Sequence, residues 1–275
     1  RSNGSLSKGN SDVIMLANID TKQHTINLVS VYRDSYLDTG SGTYQKCNAA
    51  YAKGGPEQAL SMLNTNLDLA ITDYVTVDFN AIIECVDLLG GVDITITDDE
   101  ASLMIGYMKE LNELTGHNST PPASGGTYTL DGVQACAYAR IRYGGGDDYR
   151  RTERQRTVLT AMMQKAQKSN ILTLNKLINA AFGDIQTSFS NTDLLALATK
   201  VFSYDIGDTT GFPYEKTTHK YDKIGDVVIP CDLASNVTQL HQFLFNDENY
   251  TPSATVLSNS QQIISNTGYK QGDGH

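Results

Sequence analysis

Residues 13–32 read V-I-M-L-A-N-I-D-T-K-Q-H-T-I-N-L-V-S-V-Y, and this stretch decides the fold. Val13–Ile19 is a short, nearly continuous apolar run with branched side chains, the pattern of a buried strand. Asp20–His24 is a polar turn, and Thr25–Tyr32 reads as a second strand. So short a connection makes the two strands antiparallel neighbours. Further along, Ala59, Leu60, Leu63 and Leu67 lie at helical spacing behind Pro56, a residue suited to a first turn. Ile71–Val77 alternates like a strand. Asp78 caps a helix bearing Phe79, Ile82, Ile83, Val86 and Leu89, which Gly90-Gly91 ends before a strand over Val92–Ile96. Residues 112–129 read as a loop, and Asp131 caps a short helix through Ala139. A long helix runs from about Arg150 to Lys168, and helical patterns cover 171–181, 191–203 and 235–245, with a late strand near Val227–Ile229. Hairpin neighbours among alternating strands and helices predict a mixed sheet covered by helices, fold class α/β (α+β). Residues 1–246 form the domain, and the polar, aperiodic residues 247–275 read as a loose tail.

The chain has 275 residues, 40% of them hydrophobic, and a formal net charge of −10. An acidic surface repels a nucleic-acid backbone, so no nucleic-acid partner is expected, and clusters of positive charge become informative. No apolar run approaches the roughly 20 residues that span a bilayer. The polar opening Arg1–Asn10 reads as a trimmed edge, with any membrane anchor outside the fragment. Cys47, Cys85, Cys136 and Cys231 show no C-x-x-C spacing, which disfavours zinc and redox sites and leaves buried thiols and disulfides both open. There is no G-x-S-x-G, P-loop or H-E-x-x-H motif, and the histidines are scattered.

The chemistry concentrates in Ala139-Arg-Ile-Arg-Tyr-Gly-Gly-Gly-Asp-Asp-Tyr-Arg-Arg-Thr-Glu-Arg-Gln-Arg156, which holds six of the 21 basic residues, every one an arginine. The planar guanidinium fork matches phosphate oxygens, whereas lysine acts as a point charge. Stepping back along the helix from its apolar stripe at Val158, Leu159 and Met162 gives Arg154 and Gln155, then Arg151. These polar residues extend the inward-facing stripe. Uncompensated inward arginines are costly, so an anion or a carboxylate should meet them at this helix N-terminus. Arg140 and Arg142, two apart, point to one side if extended. The simpler alternative is a surface network of these arginines with Asp147, Asp148 and Glu153. Two further pairs flank the opening strands: Ser11-Asp12 precedes the first and Arg33-Asp34 follows the second, so Asp12 and Arg33 share one end of a hairpin. A carboxylate there suits Mg²⁺, and an arginine suits charge developing on a phosphoryl group. The simpler alternative is a salt bridge.

These pieces resemble the LytR-CpsA-Psr (LCP) family. The matching segments are S-D-V-I-M-L (11–16), S-V-Y-R-D (30–34), N-A-A-Y-A-K-G-G (48–55), L-L-G-G-V-D (88–93), L-D-G-V-Q-A (130–135), A-R-I-R (139–142), D-Y-R-R-T-E-R-Q (148–155) and L-H-Q-F-L-F (240–245). The resemblance implies a three-layer α-β-α sandwich with a pocket for a prenyl tail. It also implies a phosphotransferase anchored on the extracytoplasmic face of the cell membrane by an N-terminal transmembrane helix absent from this fragment. Such enzymes move a glycopolymer, such as teichoic acid or capsule, from a polyprenyl-pyrophosphate carrier to a peptidoglycan acceptor. By motif match, Arg33 and Asp12 are catalytic and Asp12 faces the metal, Mg²⁺ or alternatively Mn²⁺. Arg140, Arg142, Arg151 and Gln155 bind the pyrophosphate, with Asp148, Arg154 and Asp34 in support. A pyrophosphatase side activity belongs to the same picture. Three departures stand out. The family's N-I-L-L-L-G-x-D strand is not found ahead of residue 11, Asn10 stands where the family often has Arg, and Arg150 replaces the usual Gly. The alternatives are a non-catalytic module that binds polyprenyl phosphate or anionic glycan, and an attenuator-type regulator.

Overall fold

The computed structural model describes residues 9–142, 148–170, 172–177, 185–200 and 203–275. Along the chain run β1 (Ile14–Asp20), β2 (Thr25–Val31), β3 (Tyr36–Asp38), β4 (Tyr44–Lys46), α1 (Ala49–Leu67), β5 (Val75–Val77), α2 (Phe79–Leu88), β6 (Val92–Ile96), α3 (Asp98–Thr115), β7 (Gly126–Leu130), α4 (Gly132–Arg140), α5 (Asp148–Lys168), β8 (Ile185–Thr187), α6 (Asn191–Lys200), β9 (Asp205–Phe212), β10 (Lys216–Tyr221), β11 (Gly225–Pro230), α7 (Leu233–Phe245) and α8 (Ala254–Thr267). They divide between two compact units, residues 1–20, 27–74 and 207–275, and residues 21–26 and 75–206. The fold is α/β, as the alternating pattern predicts.

In the first unit β1 and β2 are neighbours, in a sheet ordered β1-β2-β9. β3–β4 and β10–β11 are antiparallel pairs, while a parallel bridge joins Ser35 to Val228, so both kinds of pairing occur. Val29, Val31, Leu37, Leu67, Phe212, Ile229 and Leu240 form the centre of its core. α1 is broken at Gly54 and Gly55. The positive φ of Gly55 (65°) turns the chain so that Pro56 opens the second helical segment, the position expected of it.

Residues 247–275 are not the loose tail that their polarity suggested. Ser253 caps α8 by accepting from the Val256 amide, and α8 buries Val256, Asn259, Ser260 and Ile263. Val256 and Ile263 belong to the same core as β2 and α7. The polar residues that disguise the helix are partnered: Ser260 Oγ donates to Asp232 at 2.6 Å, and Asn259 Oδ1 accepts from the Tyr44 hydroxyl at 2.9 Å. Asp68, the left-handed residue closing α1, accepts from the Tyr250 hydroxyl (2.6 Å), the Ser253 amide (2.8 Å) and the Ser253 hydroxyl (2.6 Å).

In the second unit β6 and β7 pair antiparallel and Ile83, Met104, Met108, Leu111, Leu130 and Ile141 fill a second core. Gly132 starts α4 against α2, where a Cβ would overlap the backbone of Ile83. α3, which the sequence reading left without an element, starts with a capping box: Thr97 accepts from the Glu100 amide and Glu100 accepts from the Thr97 amide. All four cysteines are free thiols, Cys47, Cys136 and Cys231 buried and Cys85 half-buried, which decides between the thiols and disulfides left open by the sequence.

Two outcomes follow from α8. Replacing Ile263 with Ala should destabilise the protein by about 2–5 kcal/mol in urea unfolding, whereas a loose tail would tolerate it without change. Burial works to raise the Asp68 pKa, but hydrogen bonds from the Ser253 hydroxyl, the Tyr250 hydroxyl and the Ser253 amide outweigh it and hold the carboxyl below its ordinary value. A depressed folded pKa stabilises fully above the unfolded value of about 3.9 and is lost as pH falls through the folded value. Asp68→Asn should therefore be less stable than wild type near neutrality, and the gap should close below about pH 4.

Candidate functional site

The residues singled out from sequence fall in both units. In the first, the chain leaves β2 at Tyr32 and turns, and Arg33 is fixed by its own backbone: its carbonyl accepts from the Asn48 amide at 3.1 Å and from the Cys47 thiol at 3.3 Å. The Arg33 guanidinium donates through Nη1 to Asp12 Oδ1, so the two ends of the hairpin do meet. Its Nε lies 3.7 Å from Asp34 Oδ2, and Asp34 Oδ1 holds Lys46 Nζ at 3.1 Å. The result is a string of alternating charge, Asp12–Arg33–Asp34–Lys46. Asp34 is nearly buried, whereas the Asp12 side chain is 46% exposed. The salt bridge of the simpler alternative is present, and it leaves Asp12 on the solvent side. Mg²⁺ is commonly held by one or two carboxylates, with phosphate and water completing its shell. Asp12 fits that role as a single protein ligand. Among the described residues no group of three or more His, Cys, Asp or Glu side chains gathers to form an all-protein metal cage.

In the second unit the register of α5 is as the apolar stripe predicts. Arg151 and Arg154 are each 5% exposed, Val158 and Ala161 continue the buried face, and Gln155 is half-buried beside them. Buried charge demands compensation, and for Arg154 it comes from Glu100: Nε donates to Oε1 at 2.8 Å with both side chains almost out of water. Arg154 Nη1 also donates to the Ile141 carbonyl at 3.4 Å. Gln155 Nε2 donates to the Ala139 carbonyl at 3.4 Å, and its Oε1 is buried without a hydrogen bond among the described residues. The field of Glu100 reaches further: burial, and then this carboxylate, push the Tyr138 phenol up to about 12.

Arg140 and Arg142 do not share an extended strand. Arg140 is the last residue of α4, half-buried, and Arg142, past the Ile141 cap, is exposed. The i, i+2 reading failed because the helix of the L-D-G motif continues one residue further than Ala139. Arg140 donates through Nη2 to Glu110 at 3.1 Å, and its guanidinium lies over the Phe79 and Tyr107 rings. Asp148 opens α5, but its side chain lies outside the described residues, as do Tyr143–Asp147. The partners that sequence reasoning missed, Glu100, Tyr107 and Glu110, all come from α3. The T-D-D-E signature at 97–100 announces that helix; its later polar turns hid it.

An α/β fold that buries arginine side chains along the start of a helix places charge where it must be compensated. The chain is a member of the LytR_cpsA_psr family, whose model matches residues 2–222. It is 29% identical over 202 residues to the polyisoprenyl-teichoic acid–peptidoglycan teichoic acid transferase TagV of Bacillus subtilis, covering 69% of this chain and 48% of TagV. The corresponding TagU of Enterococcus faecalis is 30% identical over 198 residues, covering 71% of this chain and 60% of TagU. The chain thus spans about half the length of these curated relatives. The structure of Bacillus subtilis YwtF (TagT) with bound octaprenyl pyrophosphate lipid shares the fold, with a TM-score of 0.63 and 23% identity over 86% of this chain and 85% of that one.

The buried and exposed pairs should separate under mutation. Glu100→Ala strands Arg154 in a dry place and should cost about 3–5 kcal/mol in urea unfolding. Glu110→Ala removes a solvent-exposed partner and should cost less than about 1 kcal/mol.

Proposed function

We propose that this protein is a phosphotransferase of the outer face of the cell membrane, moving a glycopolymer from a polyprenyl-pyrophosphate carrier to peptidoglycan. The observation that carries the reading is the buried arginine face at the start of α5, Arg151 and Arg154 beside Gln155, in a member of this family. The names of TagV and TagU and the lipid bound to YwtF support the carrier and the acceptor. In this reading Arg140, Arg142, Arg151 and Gln155 hold the diphosphate, and Arg154 and Asp148 support them. An acceptor hydroxyl oxygen forms a bond to the sugar-side phosphorus, the bond to the bridging oxygen breaks, the prenyl monophosphate leaves, and the hydroxyl proton passes to that phosphate or to solvent. The Arg33 guanidinium, with Asp34 beside its Nε, has the chemistry to neutralise charge that develops on a phosphoryl oxygen. Asp12 would hold Mg²⁺, which when bound supplies positive charge to the phosphates. Water in place of the acceptor hydroxyl would give pyrophosphate hydrolysis as a side reaction.

The test is turnover of a prenyl-pyrophosphate-linked oligosaccharide with soluble peptidoglycan fragments and Mg²⁺, the product read by mass spectrometry. Arg33→Ala should lower kcat by about 10²–10³-fold, and chelation should lower it at least about tenfold. Equal turnover by Arg33→Ala would remove Arg33 from the mechanism. Tight lipid binding that ignores chelator and yields no product would make the domain a binding module instead.

A further inference from the structure

Arg140 is held so that its face and its edge do different things. The guanidinium carbon lies 5.0 Å from the Phe79 ring centroid and 5.6 Å from that of Tyr107. Ring faces attract the cation without using any of its N–H donors, so the plane of the fork is set while its edge stays available. On that edge Nη2 donates to both oxygens of Glu110, at 3.1 and 3.2 Å. Nη1 is buried and makes no hydrogen bond among the described residues. The two partners differ in exposure: the Arg140 side chain is 22% exposed and that of Glu110 56%. Tyr107 and Glu110 are three residues apart on α3, neighbours on one helix face, so a single helix supplies both a ring and the carboxylate.

The Glu110 carboxylate offers Arg140 what a phosphate would offer: negative charge and paired acceptor oxygens. It does so from an exposed side chain, and exposed ion pairs add little stability and exchange readily. We propose that Glu110 is an internal competitor for the phosphate-binding edge of Arg140. The incoming diphosphate displaces it, and Phe79 and Tyr107 keep the fork in place during the exchange. The proposal rests on the reading that Arg140 binds the carrier's pyrophosphate. It gives that residue a threshold: a headgroup must out-compete a carboxylate, which favours a multiply charged diphosphate over weaker anions. It also gives the product a way out, since Glu110 returning to Arg140 opposes rebinding of the monophosphate.

The experiment is calorimetric titration of the whole chain with farnesyl pyrophosphate at low and high ionic strength, for wild type, Glu110→Gln, Glu110→Ala, the double variant Phe79→Leu/Tyr107→Leu, and Arg140→Ala. Both Glu110 variants should bind about two- to fivefold more tightly at low salt, and the gain should shrink as salt screens the competing charge. Loss of both rings should weaken binding about three- to tenfold with Glu110 intact. If Arg140→Ala weakens binding while neither Glu110 variant tightens it, the competitor role is wrong and the pyrophosphate role of Arg140 stands. If Arg140→Ala binds as well as wild type, that role fails and takes the competitor with it.

Discussion

Glu100 and Arg154 meet at 2.8 Å with both side chains almost wholly out of water, and the segment richest in arginine is organised around that contact. Either charge alone in such a place would be several kcal/mol unfavourable, so each requires the other. The contact also reaches outward. The second oxygen of Glu100 closes the cap of α3 on the Thr97 amide, and Arg154 Nη1 touches the carbonyl of Ile141, the residue that ends α4. One carboxylate therefore joins the start of α3, the end of α4 and the start of α5. These are the elements that carry Glu110, Arg140 and Arg151.

A gradient of exposure separates the charges that hold the structure from those that can exchange. Glu100 and Asp34 are nearly buried and serve as fixed partners. Glu110 and Asp12 pair with arginines as well, but their side chains are 56% and 46% exposed. Ion pairs in water form and break at little cost, and pairs in a dry interior do not. In each unit, then, one arginine has a carboxylate partner that solvent can reach. Such a pair fixes the guanidinium while leaving it within reach of solvent.

How much was legible follows from the signal each element carries. β2, α2 and β6 show apolar periodicity, or a cap followed by it, and match their reading; β1 is a strand as its apolar run predicts, but of its residues only Leu16 is buried and Ile19 is exposed. The inward register of α5 was legible from Val158 back to Arg151 because helical spacing is fixed by backbone geometry. α3 and α8 were missed because their exposed faces are polar and the pattern of burial is set by partners far along the chain. α8 buries Asn259 and Ser260 against Tyr44 and Asp232, and no local pattern distinguishes those residues from solvated ones. α4 runs one residue beyond Ala139, which places Arg140 on a helix end rather than in a strand.

The sequence alone determined which residue types are present and which face of a helix they share: arginines on the inner stripe of α5, a carboxylate before β1, an arginine after β2. Those follow from spacing along a regular backbone. Which carboxylate compensates which arginine was decided only by the tertiary structure. The simpler alternative placed their partners close in sequence, at Asp147, Asp148 and Glu153; among the described residues Arg154 and Arg140 meet Glu100 and Glu110, 54 and 30 residues away. Pairing across such separations depends on how α3 packs against α4 and α5, and that packing is a property of the whole core rather than of any segment.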